Sequence, residues 1–214
     1  MEVKKITEID LRNTLCEVRK AHRLIHSFQQ RMMDLAKFVA TKLGMPLGYY
    51  VKRFSDGTIE KYDYGRISSA WDFLGSYQGE YYLGEKKIGD YEYAICMIQC
   101  VDTGFFDTDN YDKEDVTSFE EASASSSKFI FYVNRIKKGA KWIQWEKRGE
   151  LYDSKEFMNK EFTSKVINYR REGEKVLLYA FPMERFLDEQ STLEALKEFV
   201  TFTNKELRLN IEIH

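Results

Sequence analysis

The chain has 214 residues, which suits one domain of above-average size and leaves ample length to bury an apolar core. Its 33 basic and 35 acidic residues give a net charge of −2, so no global field favours nucleic acid or anionic lipid. The three cysteines, Cys16, Cys96 and Cys100, lack zinc-ligand spacing, and no stretch has the length of an apolar transmembrane helix. We therefore expect a cytoplasmic protein without a disulfide framework, metal site, cofactor or membrane association.

A long amphipathic helix is predicted over residues 7–44. Its apolar positions recur in alternating steps of four and three residues, the spacing of a helix that packs along its length on a partner. We call these positions the heptad seam: Leu11, Leu15, Val18, His22, Ile25, Gln29, Met32, Ala36, Val39 and Leu43. Thr7 and Asp10 predict the start as a capping-box variant, and Gly44 followed by Pro46 predicts the end.

Beside the heptad seam lies a second row of apolar residues, Leu24, Phe28, Leu35 and Phe38. Two adjacent rows are wider than the face that a simple two-stranded coil uses. A helix of about 36 residues is also about 54 Å long, which exceeds the diameter of roughly 44 Å expected for a compact chain of this size. We therefore expect one row to face the domain and the second row to contact a neighbouring molecule.

The middle of the chain, residues 47–183, has the pattern of a sheet-rich body. Strands are predicted at 49–54 and 58–64 as a hairpin around Ser55-Asp56-Gly57, and at 80–83, 90–102, 128–136, 140–146, 166–169 and 175–181. Short helical turns are predicted at 69–75 and 154–162. The runs 90–102, 128–136 and 175–181 are apolar enough for central strands.

Residues 191–214 predict a C-terminal helix followed by an edge strand. Ser191 and Glu194 have capping-box spacing, and helical periodicity continues to about Lys205. Leu209, Ile211 and Ile213 then alternate with polar residues, as edge strands do. The sequence thus predicts one α+β domain over residues 1–214, with a mixed or mainly antiparallel sheet packed on the long N-terminal helix and the C-terminal helix.

No motif in the sequence specifies a reaction. Phosphate-binding glycine loops and the GxSxG nucleophile motif are absent. His22 and His26 are one helical turn apart, but the glutamate of an HExxH site and a third ligand at metal spacing are missing. The acidic segment 102–127 departs from a calcium-binding loop at Tyr111 and Asp112.

Two further functional interpretations remain open. A metal-dependent nuclease or phosphodiesterase-like enzyme would use Asp102 at a strand end, Glu146 as a second ligand and Lys147 or Lys141 to stabilise a phosphate. A single-stranded nucleic-acid-binding module would use the basic, aromatic hairpin 128–148, through Arg135, Lys137, Lys138, Lys141, Trp142 and Trp145.

The favoured hypothesis is a non-catalytic interaction protein. It would associate with another copy or with a protein partner through residues 7–44, because the length and the two apolar rows of this helix are the strongest signals in the chain. The predicted interface residues are Leu24, Phe28, Leu35 and Phe38.

Overall fold

The computed structural model describes residues 7–53, 77–108, 116–140, 151, 154–169 and 173–214. The chain divides into two compact units, residues 1–35 and 36–214. The helices in the described ranges are α1 (Glu8–Lys42), α2 (Gly104–Asp107), α3 (Lys155–Met158) and α4 (Glu189–Leu207), with short 3-10 helices at Val116–Ser118 and Met183–Phe186. The strands are β1 (Tyr49–Arg53), β2 (Gln78–Ile88), β3 (Tyr91–Cys100), β4 (Lys128–Lys137), β5 (Ser164–Asn168) and β6 (Lys175–Pro182).

Local signals at both ends of α1 produce the helix that the sequence predicts. The hydroxyl of Thr7 accepts from the amide of Asp10 at 3.2 Å, and the Asp10 carboxylate accepts from the amide of Thr7 at 3.2 Å. This is a reciprocal capping box. Gly44 adopts a left-handed φ of 61° just after the helix, and Met45 donates back to the carbonyl of Ala40 at 2.7 Å. No helix in the described ranges combines the length and the hydropathy needed to cross a bilayer.

The described strands form one six-stranded sheet in the order β1-β2-β3-β4-β6-β5. Every described pair of neighbours is antiparallel, which confirms the α+β class and selects the antiparallel form of the predicted sheet. β2 and β3 form a hairpin across Gly89, whose φ of 55° suits a tight turn. β3 and β4 occupy the centre and are buried along most of their length, as their apolar sequences predict.

Each face of the sheet is covered by aromatic side chains. On one face, Phe131 of β4 lies 4.5 Å between ring centroids from Phe199 of α4. On the opposite face, Phe106 of α2 and Met158 of α3 join a buried cluster with β-strand side chains such as Ile130. Burial of such aromatic and aliphatic groups is the main favourable term in holding the layers together.

Most strand predictions are confirmed, with shifted boundaries. Residues 90–102, 128–136 and 175–181 correspond to β3, β4 and β6. β2 extends the predicted segment 80–83 at both ends, and β5 lies slightly before the predicted segment 166–169. The helical turn predicted at 154–162 corresponds to α3. β1 exists, but its described partner is β2. The predicted strand 58–64, the turn 69–75 and all of the predicted strand 140–146 except Ala140 lie outside the described residues.

Two predictions near the C-terminus are wrong. α4 begins at Glu189, because Asp188 is the N-cap and Ser191 is its capping-box partner at the third helical position. Residues 209–214 form no strand; instead, the side chain of Asn204 accepts from the amide of Ile211 at 2.8 Å and donates to its carbonyl at 2.9 Å. Ile211 is buried, and the side-chain amide of Asn204, not a neighbouring strand, pairs with its backbone.

Candidate functional site

The heptad seam from Leu11 to Val39 lies on a single unbroken helix, α1, and Leu43 directly follows its last residue. In heptad notation its d positions are Leu11, Val18, Ile25, Met32 and Val39, and its a positions are Leu15, His22, Gln29, Ala36 and Leu43. Side chains at these positions lie along one face of a helix. The candidate interface is therefore a continuous stripe.

Solvent exposure divides the heptad seam into two parts. Met32, Val39 and Leu43 retain 6%, 0% and 1% of their accessible surface. The four aliphatic residues that precede them are exposed: Leu11 at 51%, Leu15 at 47%, Val18 at 45% and Ile25 at 39%. One periodic pattern therefore starts as an open aliphatic stripe and ends as buried core. Contiguous exposed aliphatic surface on a folded protein marks an interaction site.

The second row is more varied. Leu24 is 72% exposed, whereas Phe28, Leu35 and Phe38 are half-buried. The ammonium of Lys42 lies 5.4 Å from the centroid of the Phe38 ring, so this ring is covered by a cation from the next turn. Leu24 and Phe28 are the members of the predicted interface set that flank the exposed part of the heptad seam.

The predicted nuclease site is described only at Asp102. This carboxylate accepts from the amide of Gly104 at 2.8 Å and so holds the start of α2. Glu146 and Lys147 lie outside the described residues, so the site remains a prediction. The described residues contain no group of three or more His, Cys, Asp and Glu side chains that could hold a metal ion.

The predicted nucleic-acid surface is described at three of its residues. Arg135 is 4% exposed, and its guanidinium donates to the carbonyl of Leu207 at 2.7 Å and to that of Gly173 at 2.9 Å. Arg135 therefore supports the end of α4. Lys137 and Lys138 are exposed at the end of β4. Lys141, Trp142 and Trp145 lie outside the described residues, so this function also remains a prediction.

The sheet also carries a buried ionic cluster that the sequence does not predict. Glu80 of β2 has no solvent exposure, yet its carboxylate accepts from the guanidinium of Arg53 at 2.7 Å and from the thiol of Cys96 at 2.9 Å. Pairing across β1, β2 and β3 brings these residues together on one face. The available signal was the alternation of Gln78, Glu80 and Tyr82, which places Glu80 on the same face as apolar core. The sequence gives no indication that Arg53 pairs with it.

A second buried charge, Lys128, begins β4. Its side chain is 3% exposed. The ammonium donates to the carbonyl of Phe157 at 3.0 Å and also to the carbonyl of Asn159. Burial lowers the pKa of this lysine from its usual value of 10.5 to about 8. The neighbouring Cys100 has its pKa raised to about 12 by burial, so its thiol stays protonated near neutral pH. Lys128 thus fixes the loop after α3, and Cys100 behaves as an inert small hydrophobe.

A cleft of about 470 Å³ lies next to the C-terminal end of α1. Its apolar walls are formed by Leu43, Tyr93 and Ile211. Lys86 contributes an ammonium group to the lining, and His214 contributes an imidazole ring. The ammonium of Lys86 approaches the carbonyl of Leu43 at 3.5 Å, so it lies against the negative end of the helix dipole. This placement gives Lys86 a helix-capping role.

The sequence matches a protein-family model described as PM0109 over residues 8–208. The description is a bare designation and states no activity, ligand or partner. No curated protein and no solved structure shows a significant match to the chain.

Proposed function

The chain belongs to the PM0109 family, and from its heptad seam we propose a non-catalytic interaction protein that self-associates through α1. The observation that carries this proposal is the change in burial along one repeat: Val39 and Leu43 are core residues, whereas Leu15 and Val18 are open to solvent. The spacing that packs the end of the helix continues at four positions whose side chains are exposed, Leu11, Leu15, Val18 and Ile25.

A second copy of the chain is the partner that the surface fits best. A heptad stripe is complementary to another stripe with the same spacing, and a twofold interface uses one patch twice. The net charge of −2 imposes little long-range repulsion between two copies. The contact consists of Leu11, Leu15, Val18 and Ile25, with Leu24 and Phe28 beside them.

The expected association is weak and depends on concentration. Burying a half-exposed aliphatic side chain gains about 1 kcal/mol, and each copy contributes four such seam residues. Association opposes this gain with a cost of at least about 4 kcal/mol in lost rigid-body freedom. Association also stabilises the exposed segment of α1, because a helical segment without tertiary contacts is only marginally stable in water.

Sedimentation equilibrium from about 1 μM to about 1 mM tests the proposal, since this range brackets weak dimers. We expect a monomer–dimer equilibrium in the unmodified chain, weakened at least about tenfold in Leu15→Glu/Val18→Glu. The matched control, Asn13→Glu/Ser27→Glu, adds the same charge on the helix face opposite the seam and should leave the equilibrium unchanged. A strict monomer, or equal effects of the two variants, would overturn the proposal.

Leu24→Glu tests the contribution of the second row separately, because Leu24 is its most exposed member. If the second row forms the main contact, this variant will weaken association more than Leu15→Glu/Val18→Glu does.

We also propose a cytoplasmic location. It is supported by the state of Cys16, Cys96 and Cys100, which are present as thiols and not as disulfides, as a reducing compartment maintains.

A further inference from the structure

Three parts of the chain supply the lining of the cleft of about 470 Å³. The β2–β3 hairpin contributes Lys86 and Tyr93, which are direct cross-strand partners, so their side chains lie on the same face of the sheet. Leu43, which follows α1, and Ile211, in the segment after α4, contribute apolar surface. A concave, mainly apolar surface with a few convergent polar groups is the usual form of a small-molecule binding site.

Hydrogen bonds fix the C-terminal segment that lines the cleft. The amide of His214 donates to the carbonyl of Lys42 at 2.9 Å, which ties this segment to the end of α1. The side chain of Asn204 holds the backbone of Ile211 through the two hydrogen bonds described above. A ligand therefore meets a preformed surface and does not have to order it, which lowers the cost of binding.

Two nitrogen-bearing side chains of the lining converge at Gly44. A methyl group built on Gly44 would lie 2.7 Å from Nζ of Lys86 and 2.9 Å from Nε2 of His214. The ammonium has three N–H donors, and its contact with the carbonyl of Leu43 at 3.5 Å uses at most one of them. The imidazole nitrogen donates when it carries a proton. The lining thus brings together donors that suit an oxygen anion.

The hydroxyl of Tyr93 is a third donor of the lining. Tyr93 is 2% exposed, and its hydroxyl makes no hydrogen bond within the described residues. Burial raises the pKa of this phenol, so the hydroxyl keeps its proton near neutral pH. A buried hydroxyl without a partner costs free energy, and a ligand oxygen in the cleft would supply the partner.

The charges around the cleft favour a ligand with a single negative charge. Lys86 forms no ion pair in the part of the chain that the structure describes, whereas Lys87 lies 3.5 Å from the carboxylate of Glu92. Glu212 also belongs to the lining and is exposed. Its carboxylate would repel a second negative charge on a ligand. A carboxylate satisfies these conditions better than a phosphate dianion does.

We propose that this cleft binds a small organic monocarboxylate with an apolar body. The carboxylate accepts from the ammonium of Lys86, the imidazole of His214 and the hydroxyl of Tyr93, while the apolar body packs against Leu43 and Ile211. All of these residues lie within 36–214, so the site does not depend on self-association through the exposed part of the heptad seam.

Isothermal titration of the full chain with phenylacetate, and separately with hexanoate, tests the site with an aromatic and an aliphatic body. We expect saturable binding of at least one of them with a Kd of about 1 mM or tighter. The neutral amide of the bound acid should bind at least about tenfold more weakly, because it lacks the charge that Lys86 recognises. Inorganic phosphate should also bind at least about tenfold more weakly.

Two variants locate the binding. Lys86→Met should weaken it at least about tenfold, and Tyr93→Phe, which keeps the shape of the ring, at least about fivefold. Lys165→Met on β5 and Tyr179→Phe on β6 are the matched controls, since they make the same chemical changes on strands that are not adjacent to β2 or β3. Both controls should leave the affinity unchanged.

The outcomes decide the proposal. Saturable binding that both site variants weaken and both controls preserve supports it. If neither acid binds up to about 10 mM, or if the amide or phosphate binds as tightly as the acid, the proposal is overturned. It is also overturned if Tyr93→Phe binds as the unmodified chain does. Circular dichroism confirms the fold of each variant, and Tyr93→Phe alone decides the location if Lys86→Met does not fold.

Discussion

The thiol of Cys96 donates to Oε1 of Glu80 over 2.9 Å, although the Glu80 side chain has no contact with solvent. The other carboxylate oxygen accepts from Arg53, with distances of 2.7 Å and 3.3 Å to its guanidinium nitrogens. A buried carboxylate keeps its charge only when such partners replace water. Arg53 on β1 therefore ties the edge strand to the centre of the sheet.

Replacing Arg53 with methionine should lower the free energy of unfolding by about 3 kcal/mol, since the buried Glu80 carboxylate would lose the two hydrogen bonds that the guanidinium donates. Urea denaturation measures the loss. The control is Arg12→Met, which removes a guanidinium whose pairing with Glu8 is exposed and which should cost well under about 1 kcal/mol. The double variant Arg53→Met/Glu80→Met should recover much of the stability. Equal losses in Arg53→Met and Arg12→Met would show that the buried pair has no special role.

The two parts of the heptad seam should respond differently to the same truncation. Leu43→Ala removes a side chain that is 1% exposed and should cost about 2–5 kcal/mol through lost burial and a cavity. Leu15→Ala, at 47% exposure, should change the unfolding free energy of the dilute monomer by less than about 0.5 kcal/mol. Thermal or urea unfolding at low protein concentration provides the comparison. A comparable loss in Leu15→Ala would mean that Leu15 packs within its own chain.

The C-terminal segment depends on Asn204. Both side-chain atoms of this amide bond to Ile211, so Asn204→Ala leaves a buried amide and carbonyl without partners and should cost about 1–3 kcal/mol. Asn210→Ala is the control, because Asn210 is exposed and its contact with Glu212 is long, at 3.5 Å. Hydrogen exchange at the amide of Ile211 should accelerate in Asn204→Ala alone. Unchanged protection of that amide would contradict the proposed role.

Local chemistry made much of the fold predictable. The bounds of α1 follow from Thr7, Asp10 and Gly44, and the central strands follow from continuous apolar runs such as that of β3. The errors arose where two local signals competed. Ser191 and Glu194 had capping-box spacing, but Asp188 supplied the cap three residues earlier. Element existence was therefore more predictable than element boundaries.

Side-chain environments were less predictable, because they depend on residues that are distant in sequence. The alternation of Leu209, Ile211 and Ile213 suggested a strand, yet Asn204 took the place of a strand neighbour. Similarly, the heptad seam gave the spacing of its contacts but not the point at which burial begins, near Met32. The pairing of Arg53 with Glu80 depends on β1 joining β2, and the turn-forming residues after Arg53 favoured a local hairpin instead.

The buried lysine predicts a pH dependence with a defined sign. Because the pKa of Lys128 is lowered to about 8 in the fold, the unfolded chain binds more protons than the folded chain from about pH 8 to about pH 10.5. The contribution of Lys128 to the free energy of unfolding must therefore rise with pH in this window, because the cost of burying the charge disappears. From pH 8 to pH 9 the rise attributable to Lys128 is about 1 kcal/mol.

Urea denaturation of the unmodified chain and of Lys128→Met, between about pH 7 and about pH 9, measures this contribution as a difference. Other groups with shifted pKa values, such as Cys100, are present in both proteins, so their contributions largely cancel. Lys138→Met is the matched control: Lys138 is exposed, and its removal should leave the pH profile of the unmodified chain in place. The stability gap between the unmodified chain and Lys128→Met should shift by about 1 kcal/mol in favour of the unmodified chain from pH 8 to pH 9. Parallel profiles would mean that Lys128 keeps an ordinary pKa and that its ammonium is solvated in the folded protein.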